Sequence, residues 1–159
     1  MRLPCRPALA FLLAAALAAG CQTTGGERVA ERTAERGTAP ADATPGTYWN
    51  GDHSEAYERA YVTARTPQEW TDLWARVGQP APSALPGDRM AVAVFLGPKD
   101  TAGYAVLIQS AAERDGAVVV TYREQVPGPT QAVALVRTSP YAVRLVPRSA
   151  ADVKFVREK

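Results

Sequence analysis

The chain has a single histidine. His53 stands between Asp52 and Ser54, followed by Glu55, and another serine lies at Ser139. A serine hydrolase needs a hydroxyl, a base to take its proton and a carboxylate to orient the base. Asp52, His53 and Ser54 or Ser139 supply those residue types. No Gly-x-Ser-x-Gly elbow accompanies them. A zinc site would need further histidine or cysteine ligands, and Asp52, His53 and Glu55 match no ligand spacing. The stretch reads as a solvated turn. The expectation is a protein that is not an enzyme, with no metal and no cofactor.

The second chemical candidate is "FLGPKDTAGYAV", residues 95–106. Two glycines, a proline and a lysine raise the question of a phosphate cradle. A P-loop needs Gly-x-x-x-x-Gly-Lys-Ser/Thr and then a helix whose N-terminus faces the phosphate. Gly97 and Gly103 are too far apart, Tyr104 takes the lysine's place, and an apolar strand pattern follows. The segment reads as the tip of a β-hairpin, in which Pro98 fixes one φ and Gly103 supplies an unusual one.

The N-terminus has its own logic. Arg2 and Arg6 precede an apolar run over 8–19, which is too short for a comfortable span and suits a secretory signal. The run ends in Ala18-Ala19-Gly20-Cys21, which resembles a bacterial lipobox. The reading is a lipoprotein signal peptide over 1–20, with Cys21 lipidated and anchoring the chain to a membrane. The alternative is an ordinary cleaved signal with Cys21 incidental. Gln22 is not the aspartate that holds enteric lipoproteins at the inner membrane, so resemblance to those proteins implies the periplasmic face of the outer membrane. Cys5 leaves with the signal, and no thiol then remains for catalysis or a disulfide.

Charge excludes one class of partner. The chain has 18 Lys+Arg and 16 Asp+Glu, and loss of Arg2 and Arg6 leaves 16 against 16. A neutral mature chain has no broad footprint for nucleic acid. Residues 21–46 are rich in Thr, Gly, Ala and Pro and carry Glu-Arg pairs at 27–28, 31–32 and 35–36. They cannot bury enough surface to offset chain entropy, and they read as the lipidated cysteine and a disordered tether.

Residues 47–159 are the folded part. "TPQEWTDLWARVG" is a capped helix: Thr66 at the cap, Pro67 first, Glu69 closing a capping box and Gly78 ending it. Trp70, Leu73, Trp74 and Val77 form its apolar stripe. Strand patterns run over 56–65, 90–96, 104–111, 117–125, 132–138, 141–147 and 152–158, the one over 132–138 short and weak. Residues 90–96 are apolar on both faces, as in a central strand. Asp115-Gly116 marks a hairpin. The expected fold is mostly β (α+β): an antiparallel sheet or β-sandwich of about six strands with one amphipathic helix packed on it.

Over residues 60–156 the chain resembles the PrcB family of protease-complex lipoproteins. The carriers are "TPQEWTDLW", "MAVAVFLG" ending at Gly97, Lys99 followed by "TAGY" at 101–104, and "TSPY" at 138–141. Members commonly have Lys-x-Thr-Gly-Gly-Tyr; here Ala102 replaces the first glycine. The resemblance implies an envelope lipoprotein that binds a secreted protease and supports its maturation. "TAGY" is also similar to the Thr-Thr-Gly-Tyr loop of chagasin-type cysteine-protease inhibitors, which implies direct inhibition as an alternative. An envelope lipoprotein with a non-protease partner is the third reading. The expected contact surface is Lys99, Thr101, Gly103 and Tyr104 with Ser139, Pro140 and Tyr141, because binding residues collect on loops held by a rigid sheet.

Overall fold

Met90, Val92, Val94 and Leu96 point one way and Ala91, Ala93 and Phe95 the other, and all seven are buried. A strand apolar on both faces must lie between two layers, and that position organises the fold. The computed structural model describes residues 40–158 apart from 42 and 45. The expected signal, Cys21 and most of the expected tether lie outside the described residues.

The elements are β1 (Tyr48–Gly51), β2 (Ala60–Ala64), α1 (Pro67–Val77), β3 (Arg89–Phe95), β4 (Ala105–Arg114), β5 (Ala117–Gln125), β6 (Tyr141–Pro147) and β7 (Asp152–Arg157). One sheet has the order β1-β6-β3-β2 and the other β4-β5-β7. The fold is mostly β with one helix. Helix α1 covers one face of the four-stranded sheet, with Trp70, Leu73, Trp74 and Val77 packed against Ala91, Ala93, Phe95, Val143 and Leu145. The other face meets the second sheet through Met90, Val92, Val94, Ile108, Val118, Val120 and Val146.

The helix forms as its caps require. Thr66 accepts from the Glu69 N–H, and the Glu69 carboxylate accepts from the Thr66 N–H, so two otherwise orphaned donors are satisfied. Trp49 of β1 completes an aromatic triangle with Trp70 and Trp74, ring centroids 5.8 and 5.5 Å away. The Trp70 Nε1–H donates to the Ser83 carbonyl at 2.8 Å.

A bulge joins the two sheets. The β4–β5 register shifts between Ile108 and Ser110, which frees backbone groups from the ladder. Side chains of the other sheet take them up. The Ile108 N–H donates to Tyr48 Oη at 3.2 Å, and Arg144 Nη1 donates to the Ile108 and Gln109 carbonyls at 3.3 and 2.9 Å.

The structure corrects the expected strands in four places. Strand β1 was not expected. The strand pattern over 56–65 narrows to β2, because 56–59 turn over the end of the sheets. Residues 132–138 form no strand; only Thr138 makes an isolated bridge, to Lys99. Strand β7 lies parallel to β5, since β6 sits in the other sheet and acts as the crossover that a parallel pair requires.

Candidate functional site

Strands β3 and β4 belong to different sheets, so residues 97–104 are not a hairpin tip but a crossing from one sheet to the other. Two further connections meet them there: 52–59 between β1 and β2, and 126–140 between β5 and β6. Together they form one end of the molecule.

Thr138 to Pro140 are the buried spine of this end. Lys99 and Thr138 exchange backbone hydrogen bonds of 2.8 and 2.9 Å, and the Ala102 N–H donates to the Ala134 carbonyl at 3.0 Å. The Thr138 hydroxyl donates to the Thr101 carbonyl at 3.1 Å. The Ser139 N–H donates to the Asp52 carbonyl, and the Leu96 N–H to the Pro140 carbonyl. Ser139, Pro140 and Tyr141 are therefore inside the fold, with Tyr141 stacked on Phe95 at 6.3 Å. Burial, and after it the charge of Asp52, pushes the Tyr141 phenol up. These three residues offer almost no area to a partner; they hold the loops in place.

The other expected residues are half-buried and accessible. Lys99 Nζ sits 5.6 Å from the centre of the Tyr104 ring, a cation–π pair. Thr101 and Gly103 lie between them and loop 126–137. Gly97, with φ +69°, turns the chain where a Cβ would meet the Glu58 carbonyl carbon at 2.8 Å. Gly103, with φ +92°, leaves room for Pro127 and Val133.

The residue types of a serine hydrolase can be located. His53 Nδ1 is 2.8 Å from Asp52 Oδ1. The Ser54 hydroxyl donates to the Ser139 carbonyl at 2.9 Å, and the Ser139 hydroxyl donates to the Ala56 carbonyl at 3.1 Å. Both hydroxyls thus hold the main chain. Among the described residues no group of three metal-capable side chains forms.

A cleft of about 270 Å³ opens between His53, Tyr57, Pro98 and Arg137. A second cleft, of about 500 Å³, lies beside Glu58, Ala60 and Arg76. Glu55, Ala56 and Tyr57 line both, and Tyr57, 86% exposed, forms the ridge they share. Among the described residues six large apolar side chains are exposed, and four of them, Tyr57, Val126, Leu135 and Val136, stand on these connections. The sequence reading placed Tyr57 on a strand face and Leu135 and Val136 in a strand, so it missed them.

Beside this end the two sheets are joined by a polar contact. Arg59 makes two hydrogen bonds to the Glu124 carboxylate, and Arg157 lies 3.7 Å from it. The Arg59 hydrogen bond holds the Glu124 carboxyl below its ordinary value. Tyr61 Oη and Tyr122 Oη are 2.7 Å apart. Burial, then the bond to Tyr61, pushes the Tyr122 phenol up to about 12.

Residues 90–146 match the family model described as PrcB C-terminal. The matched span runs from β3 to β6 and contains both the 97–104 crossing and the 126–140 connection. No curated protein and no solved structure matches the chain.

Proposed function

We propose that this chain, which belongs to the PrcB family by residues 90–146, is the non-catalytic, protein-binding subunit of a protease complex. The partner docks on the end of the molecule built from 52–59, 97–104 and 126–137. One observation carries the reading: of the six exposed large apolar side chains among the described residues, four, Tyr57, Val126, Leu135 and Val136, stand on these connections. Exposed apolar surface gathered in one place marks interaction sites, whereas single scattered residues do not. Tyrosine anchors suit such surfaces, because the ring is buried while the hydroxyl finds a partner. Lys99 and Tyr104 extend the patch from the crossing. In the cell the domain stands on a tether from a lipid on Cys21, facing the periplasm.

The test is co-purification of the protease from solubilised envelopes. A Tyr57→Ala, Leu135→Ser double variant loses it while keeping its thermal midpoint. A Lys154→Ala, Val156→Ala variant, on β7, retains it. Equal recovery with both variants, or capture of a partner that is not a protease, refutes the reading.

A further inference from the structure

Residues 132–136, Ala-Val-Ala-Leu-Val, have the composition of a strand and no sheet to join. Their hydrogen bonds show which edge is free. Ala134 and Thr138 both direct main-chain groups at the 99–102 segment. In an extended chain the N–H and C=O groups of alternate residues face the same side. Those of Val133, Leu135 and Arg137 then face the opposite side, and among the described residues they have no hydrogen-bond partner. Leu135 is 91% exposed on the same stretch. The stretch thus carries three residues without main-chain partners and is tied from behind to Lys99 and Ala102.

The free edge leads into the cleft. Arg137 and Thr138 line it, next to His53, Tyr57 and Pro98. Arg137 is exposed and has no ion-pair partner among the described residues. An unpaired edge recruits an extended backbone. In that mode of recognition the main chain supplies affinity and pockets for alternate side chains supply specificity. An unpaired arginine at the mouth selects a carboxylate.

We infer that the edge formed by Val133, Leu135 and Arg137 accepts an added strand: an extended, apolar segment of the partner protein with an acidic residue level with Arg137. The inference rests on the protein-binding reading above and specifies how the partner is held.

The test uses NMR solvent exchange on the purified chain, with the synthetic peptide acetyl-Thr-Val-Thr-Val-Thr-Val-Glu-amide as probe. The peptide slows exchange of the Val133, Leu135 and Arg137 amides by about tenfold or more, as a formed ladder does, and leaves those of Ala134 and Val136 unchanged. Leu135→Pro removes an outward N–H and abolishes the protection, while Val136→Pro removes an inward one and preserves it. Replacing the peptide's glutamate by lysine weakens binding by about threefold or more, the scale of an exposed ion pair. No protection at millimolar peptide overturns the inference. Protection that rises with protein concentration alone also overturns it, since a second copy then fills the edge. If the Tyr57→Ala, Leu135→Ser variant still loses its protease while the peptide gives no protection, strand addition fails and the docking surface stands.

Discussion

Tyr61 on β2 and Tyr122 on β5 bring their hydroxyls within 2.7 Å, linking the edge of one sheet to the centre of the other. Burial and this bond raise the Tyr122 phenol to about 12. A raised value means that the fold favours the protonated form, so the stabilisation is complete below the unfolded value near 10 and is lost as pH rises through about 12. Chemical denaturation between these limits shows falling stability. Tyr122→Phe removes one proton's share of that slope. An unchanged slope refutes the assignment.

The acid side has the opposite sign. Glu124 is held below its ordinary value by Arg59, so its contribution is present above the unfolded value near 4.3 and is lost as pH falls through the folded one. Denaturation curves from pH 6 to 3 are flatter for Glu124→Gln than for the parent. A parallel pair of curves shows that the ion pair adds nothing.

Gly97 and Gly116 both have left-handed backbones, with φ +69° and +73°. An alanine at 116 meets nothing within 4 Å, whereas at 97 it meets the backbone of Glu58 and Arg59. Gly116→Ala costs about 1–2 kcal/mol, the conformational penalty alone. Gly97→Ala costs clearly more, because main chain cannot step aside as a flexible side chain can. Urea midpoints of the two variants give the comparison, and equal losses contradict it.

Trp70 is 2% exposed and touches both other tryptophans. Its replacement by alanine costs roughly 3–5 kcal/mol. A loss under about 1 kcal/mol, the scale of a surface change, means that the triangle is not a packed core.

Membrane attachment is tested by metabolic labelling with a palmitate analogue. The parent chain takes up label and Cys21→Ala does not. Equal labelling removes the anchor.

Much of the layering was legible because local chemistry and long-range packing agree there. Thr66, Pro67, Glu69 and Gly78 delimit the helix by groups within one turn of each end. The double-sided apolar run in β3 demands a layer on either side. Asp115 and Gly116, both with positive φ, close the β4–β5 hairpin as their residue types require. What was not legible depends on which sheet a strand joins. Nothing local to 97–104 distinguishes a hairpin from a crossing, because a proline and two glycines serve either. Nothing local to Ala132–Val136 reveals that its neighbours in space leave it outside a sheet. The candidate site was half legible for the same reason. Lys99 and Tyr104 sit on a recognisable loop, whereas Tyr57 and Leu135 join them only through the fold. Ser139, Pro140 and Tyr141 were misjudged as surface because a turn-like sequence can also be a buried strap.

Strand β1 has one partner, β6, with Tyr48 opposite Arg144. Strand β3 likewise needs β6 on its inner side, and β5 waits for β7 to complete its sheet. The β4–β5 hairpin is the one pairing that forms between strands joined by a tight turn. A chain emerging from its N-terminus can therefore build a hairpin and a helix, but cannot close either sheet until its last two strands arrive. Pairings so distant in sequence make folding slow. Neither sheet is therefore complete until nearly the whole chain has been made, and the exposed edges of β3 and β5 stay unpaired until then.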